Sequence, residues 1–271
     1  VVTSGKDSKV IITSTANGVG NMFHKIYESA VQEKSEYKHF TINWFDVPER
    51  DETWKKQTIA NTSEAQFEQE YGNSFLGTGS TLINSDTLLG MRAEEPDWNK
   101  DSINIYERPI LDHTYVCTVD VAKGRGMDYS TFSIFDVSQQ PFKQVATYRD
   151  DFISPMLFPD VINKYVSPYN KPLVVIENND SGQIVCNQLF YDIEYENVFT
   201  MSSVKASGIG VTMTKKTKHI GCSTLKELME ENKLRIVDKF TINEFLTFVS
   251  KGQSWEADGG NHDDLVMNLV L

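Results

Sequence analysis

Two carboxylates close apolar runs in this chain, and a pair of them opens a third. Asp120 ends Tyr115-Val-Cys-Thr-Val-Asp120, and Glu177 ends Pro172-Leu-Val-Val-Ile-Glu177. Asp263 and Asp264 precede the apolar stretch that runs to Leu271. A charge at the end of a buried strand is costly unless it is paired or binds a metal. Taken singly, each has a plainer use. Asp120 could cap a turn, and two acids in the first turn of a helix are favoured by its dipole. Taken together, Asp120, Glu177 and Asp264 are candidate metal-binding and catalytic residues. Hard carboxylate oxygens suit Mg²⁺ or Mn²⁺ over zinc. Two such ions about 4 Å apart could activate a water and stabilise the leaving oxygen of a phosphodiester.

The elements that must position these acids read as an α/β arrangement. Residues 115–137 form a hairpin of two buried strands, turning at Gly124 and Gly126. Phe142 to Asp150 is a third strand. Ser154-Pro155 begins a helix that stops near Pro168. The run to Glu177 suits a central parallel strand, and strand C-termini are where α/β ligand sites form. Helices are predicted over 183–191, 219–231 and 241–249, with short extended pieces at 195–201, 234–237 and 252–257. A last helix begins at Asn261 or His262. His262, beside two acids at a helix start, reads as a cap or supporting group rather than a general base.

The chain carries 38 acidic and 26 basic residues, a formal net charge of −12. That argues against a protein coated in positive charge for nonspecific nucleic-acid binding, yet leaves room for a local basic patch. Met201 to His219 supplies one, with Lys205, Lys215, Lys216, Lys218 and no acid. Its glycines suggest a mobile loop that contacts phosphates; the alternative is a solvated lysine cluster beginning a helix. Lys123 and Arg125 add charge beside Asp120. Cys117, Cys186 and Cys222 are far apart and odd in number, which fits a reducing setting without a disulfide framework. Neither a membrane-spanning run nor a signal peptide is visible.

Residues 1–79 read as a separate unit. Lys9 to Thr15 looks like a buried strand ending in the hydroxyls Thr13, Ser14 and Thr15, which could sense a nucleotide phosphate or merely finish a strand. A helix from Met22 to Glu33, a β-prone run from Tyr37 to Phe45 and a short helix from Ala65 to Tyr71 follow. No GxxxxGK[ST] loop is present. Residues 80–271 make the second unit, with an acidic linker or surface arm around 92–112.

Three of these stretches, TVDVAKGRGMDYS, VVIENNDSG and GGNHDDLVMNLV, occur in order and at suitable spacing. Together they resemble the nuclease domain of the large terminase subunit of T-even-type tailed phages. The resemblance implies a ribonuclease H-like, resolvase-type fold, with a mixed sheet flanked by helices and a partial P-loop ATPase-type α/β segment before it. It implies that Asp120, Glu177 and Asp264 are the metal triad, with Asp128 and Asp263 as further candidates. Many relatives have one more acid where this chain has Met267, so no ligand is placed there. Residues 1–79 resemble the C-terminal end of the terminase ATPase domain, with Thr13-Ser14-Thr15 on its coupling motif. ATP would then serve only the complete parent protein. The implied setting is the host cytoplasm, with transient attachment to the viral procapsid. The implied partners are double-stranded viral DNA, the portal protein, a small terminase subunit and further copies in a ring. A junction resolvase or transposase-like nuclease on the same fold, and a non-catalytic portal-docking module, are the other readings.

Overall fold

The computed structural model describes residues 9–16, 22–61, 67, 70–73, 75, 81–202, 207–252, 254–258 and 260–271. The chain divides into two compact units, Val1–Ser80 and Thr81–Leu271.

In the first unit, helix α1 spans Met22–Val31 and helix α2 spans Glu52–Asn61. The stretch around Glu49 to Lys56 is mostly charged, yet it starts a helix because Asp51 Oδ1 accepts a hydrogen bond from the Trp54 N–H at 2.8 Å. Trp44, Trp54, Phe67 and Tyr71 pack ring against ring, with Arg50 and Lys55 lying over their faces. Two expectations fail here. Residues 9–15 are exposed and not a strand, and the run from Tyr37 leads into a 3₁₀ turn at Trp44–Asp46 instead of pairing. β-Prone residues need a neighbouring strand to satisfy their backbone, and the described residues of this unit supply none. The helix expected over 65–71 lies largely outside the described residues.

The second unit is built on a seven-stranded mixed sheet. Its strands are β1 (Trp98–Lys100), β2 (Ile103–Ile105), β3 (Tyr115–Asp120), β4 (Ser130–Asp136), β5 (Phe142–Asp150), β6 (Leu173–Ile176) and β9 (Leu234–Arg235). The order is β1-β2-β5-β4-β3-β6, with β9 beside β5. Within this sheet the β3–β6 and β5–β9 strand pairings are parallel and the others antiparallel. Strand β4 is buried on both faces, so alternate residues feed two cores. Phe132 and Ile134 face helices α4 (Phe158–Val166) and α5 (Gly182–Asn187) through Phe158, Ile162, Val185 and Cys186. Phe135 faces helices α6 (Lys215–Glu230), α7 (Lys239–Thr247) and α8 (Asp264–Val270) through Leu225, Phe245 and Val266. Helix α3 (Ser85–Gly90) contributes Leu88 to that second core. Hairpins β7–β8 (Thr200–Ser202, Ser207–Ile209) and β10–β11 (Phe248–Lys251, Ser254–Ala257) complete the unit.

The structure differs from the sequence reading at several places, among them the helix expected over 241–249, which runs Lys239–Thr247, and the last helix, which begins at Asp264. The acidic stretch read as a linker forms β1 and β2, because Ile103 and Tyr106 are apolar enough to bury at the sheet edge. Strand β6 ends the strand path rather than lying at its centre, with only single bridges to Val198 and Val211 on its outer side. Helix α4 begins at Phe158, because the Ser154 carbonyl accepts from Leu157 and Phe158 in a preceding turn and Pro159 takes the first helical turn. Helix α6 begins at Lys215, four residues earlier than expected, because Thr214 caps it through the Thr217 N–H at 3.2 Å.

Candidate active site

Two neighbouring parallel strands carry the first two acids. Val119 of β3 is in register with Ile176 of β6, and the Glu177 N–H donates to the Val119 carbonyl at 3.1 Å. Asp120 and Glu177 therefore leave the sheet side by side. One Asp120 oxygen accepts the Val121 N–H at 2.9 Å. The turn after Glu177 closes so tightly that a Cβ at Gly182 would lie 1.8 Å from the Glu177 carbonyl oxygen. Only glycine fits there.

The third acid comes from a helix laid across the same sheet. Asp264 is the first residue of α8, and buried polar contacts set the register of that helix. Thr118 Oγ1 donates to Asn268 Oδ1 at 2.9 Å, Asn268 Nδ2 donates to Thr131 Oγ1 at 3.0 Å, and Thr131 Oγ1 donates to the Asp264 carbonyl at 3.1 Å. Glu244 of α7 accepts from the Leu265 and Val266 N–H groups at 2.7 and 3.1 Å. Asp263 accepts from the Ala257 N–H at 3.1 Å, which ties β11 to the helix start. None of Thr118, Thr131, Asn268 or Glu244 was singled out from the sequence. The available signal was polarity at Thr118, Thr131 and Asn268 inside otherwise apolar runs. For Glu244 there was none.

The Asp120 carboxyl feels the other two. Burial pushes Asp120 well above the usual carboxylate range, and the charges of Glu177 and Asp264 push it further. Glu177 is raised by burial and by Asp180, against the opposing pull of the Lys218 ammonium. Asp264 is pushed up to about 6 by burial, with Asp128 adding to it and the Tyr129 backbone hydrogen bond opposing. Its Oδ2 is buried without a hydrogen-bond partner, 3.5 Å from His262 Nδ1. Among the described residues, no three His, Cys, Asp or Glu side chains are already drawn together as a metal ligand set. The donor chemistry nonetheless fits a divalent cation. Hard oxygens that ionise reluctantly, one of them without a partner, would gain most from a cation among them.

The remaining predicted residues are dispersed. Asp128 is exposed on the β3–β4 turn, and the His262 ring packs edge-on against Tyr129 at 5.0 Å. Exposed Lys123 lies 3.9 Å from Asp180, and Arg125 is exposed nearby. Lys205 lies outside the described residues. Lys215 and Lys216 are exposed in the first turn of α6, and Lys218 is half-buried with its Nζ 5.8 Å from the Phe248 ring centre. The helix start is fastened to the Glu177 turn, since Asn179 bonds both the N–H and the carbonyl of Met213 at 2.8 and 2.9 Å. Within the segment read as a mobile loop, Ser207–Ile209 is strand β8, and residues 203–206 lie outside the described residues. Gly210 has φ +83° and lies so close to Ile176 that a Cβ would fall 2.6 Å from its carbonyl oxygen. Met267 is partly buried against the second core. Thr13, Ser14 and Thr15 are exposed in the first unit.

Comparison with known proteins gives consistent matches. The Terminase RNaseH-like domain model covers residues 117–271, and the model for the N-terminal region of T4likevirus-type terminase large subunits covers residues 1–89. The terminase large subunits of Thermus phage G20c and Thermus virus P23-45 are each 26% identical over 99% of this chain. The chain spans 56% of the length of each. The G20c large terminase nuclease with bound cobalt superposes with TM-score 0.58 at 20% identity, covering 70% of this chain and 95% of that one. Its magnesium-bound structure gives 0.56 at 22% identity, with the same coverage. The large terminase nuclease domain of Thermus phage P74-26 gives 0.53 at 24% identity, covering 69% of this chain and 93% of that one. At these identities the structures speak for the fold alone. With the family model matching residues 117–271, more than half of its length, this chain belongs to the terminase large-subunit family and has the ribonuclease H-like fold of its nuclease domain.

Proposed function

We propose that residues 81–271 are the metal-dependent endonuclease of a DNA-packaging terminase, cutting concatemeric double-stranded viral DNA. The observation that carries the reading is the placement of three acids, with Asp120 and Glu177 at the ends of two paired parallel strands and Asp264 at the start of the helix packed on β3 and β4. These three would hold Mg²⁺ or Mn²⁺. When bound, such ions supply an activated water and charge stabilisation of the leaving oxygen in phosphodiester hydrolysis. The chain's own residues do the rest. Asp120 is held by its backbone contact and Asp264 by the contacts of α8. Lys218 offsets the acids near Glu177, and Lys215, Lys216, Lys123 and Arg125 offer charge to the DNA backbone, with no base preference. Asp128 and Asp263 tune the charge around Asp264.

The rest of the assignment follows from family membership. The portal, a small terminase subunit and a ring of copies on the procapsid in the host cytoplasm are the proposed setting. Among the described residues, no helix is long and apolar enough to cross a membrane. The first unit corresponds to the end of the ATPase region, with Thr13 to Thr15 in the coupling role. No phosphate-binding GxxxxGK[ST] loop occurs in these 271 residues, so ATP turnover by this chain alone is not expected.

The test is plasmid cleavage with Mn²⁺, comparing the chain with Asp120→Ala and analysing the new ends. Cleavage lost in the variant, leaving 5′-phosphate and 3′-hydroxyl ends, is the expected result. A 3′-phosphate product, or cleavage unchanged in Asp120→Ala, would overturn the assignment. Branched DNA cut much faster than linear duplex would make the chain a resolvase instead.

A further inference from the structure

The first backbone N–H groups of any helix lack partners inside the helix. The residue before α8, Asp263, makes no capping hydrogen bond, because its side chain is engaged by the Ala257 N–H. The cap comes instead from another helix. Glu244 Oε2 accepts both the Leu265 and the Val266 N–H, the two that follow Asp264. Its side chain is only 7% exposed. Helix α7 is itself anchored, since Asp238 caps it through the Thr241 N–H at 2.7 Å and accepts from Tyr106 and Thr147 in the core. The other Glu244 oxygen makes no hydrogen bond, and Arg149 Nε stands 3.8 Å from it. Arg149 is held over the Tyr129 ring, at 3.5 Å from its centre, and Tyr129 packs on His262. A carboxylate buried with one oxygen so poorly served is costly, and the two N–H groups at the start of α8 are what it holds.

We infer that Glu244 is a positioning residue that sets Asp264, by capping α8 from outside the helix and fixing where its first residue stands relative to Asp120. The inference rests on the reading of Asp264 as a metal ligand. What matters is the reach of the Glu244 acceptor, not its charge. The two properties separate cleanly by substitution. Glu244→Gln keeps the length and a carbonyl acceptor but cannot ionise. Glu244→Asp keeps the carboxyl but is one methylene too short.

The experiment is Mn²⁺ titration followed by electron paramagnetic resonance of the free ion, on the full chain and both variants, with Asp264→Ala as control and melting curves beside it. Glu244→Gln should bind Mn²⁺ within a few-fold of the parent. Glu244→Asp should lose about tenfold or more, the usual scale for removing a group that orients a ligand, and the Mn²⁺ midpoint for plasmid cleavage should move in parallel. Equal losses in both variants, or none in Glu244→Asp, would overturn the inference. Should Glu244→Asp fail to fold, Glu244→Gln decides. Retained Mn²⁺ affinity with retained hydrogen-exchange protection of the Leu265 and Val266 amides supports it, and a tenfold loss in the folded variant refutes it. An Asp264→Ala variant that binds Mn²⁺ like the parent would refute the ligand reading itself, whatever Glu244 does.

Discussion

Asp120 and Glu177 stand one residue beyond the register pair Val119 and Ile176, on adjacent parallel strands. Two acids placed this way repel each other in a poorly solvated site, so the metal-free protein holds them at a cost. An acid whose folded value exceeds its unfolded one keeps its proton longer in the folded state, so stability falls as pH rises between the two values. For Asp264 that window runs from 3.8 to about 6, and Asp120 and Glu177 shift in the same direction. Asp120→Asn should therefore raise the metal-free melting temperature at neutral pH by a few degrees, with the gain shrinking toward pH 4. Added Mn²⁺ should stabilise the parent and not the variant. Calorimetry across pH, with and without metal, checks both.

The Thr118–Asn268–Thr131 chain of hydrogen bonds makes a second prediction. Asn268→Leu removes a buried amide and strands the Thr118 hydroxyl, which should destabilise the second unit by about 1–3 kcal/mol. Cleavage should fall too, since Asp264 rides on the same helix. Urea unfolding and plasmid cleavage measure the two effects. A variant as stable as the parent would show that the helix finds its register through apolar packing alone.

Gly182→Ala should damage activity out of proportion to stability. The new methyl meets the Glu177 carbonyl oxygen, so relief of the clash displaces the backbone that carries a proposed ligand. The expected result is a folded protein, by circular dichroism, with cleavage reduced at limiting Mn²⁺ and partly recovered at high Mn²⁺.

Neutralising Lys215, Lys216 and Lys218 together should weaken duplex binding to a similar degree for unrelated sequences, and flatten its dependence on salt because fewer counterions are released. Labelled duplex titrated at several salt concentrations gives both quantities. Unchanged affinity and slope would place DNA elsewhere on the protein.

The strands were legible where residue chemistry and pattern agreed. Tyr115 to Asp120, Ser130 to Asp136 and Phe142 to Asp150 are apolar, turn-bounded runs, and all three are strands of the sheet. Trp98 to Ile105 carries no alternation that marks a strand, because β1 is exposed along its length and β2 fully buries Ile103 alone. Residues 9–15 were misread for the converse reason: apolar content alone does not make a strand without a partner to pair with. The acids at strand ends could be read from the sequence. Their support could not, because Glu244 and Asn268 act across more than twenty and more than a hundred residues respectively. Local periodicity carries no record of such distant partners.

The three acids also differ in when they become available. Asp120 and Glu177 lie within one stretch of sheet, whereas Asp264 follows 87 residues after Glu177. On a ribosome, that interval lasts on the order of ten seconds. Throughout it the nascent chain carries two of the three acids without the third. The proposed metal site is thus incomplete throughout most of synthesis, and closes only when α8 settles onto β3 and β4.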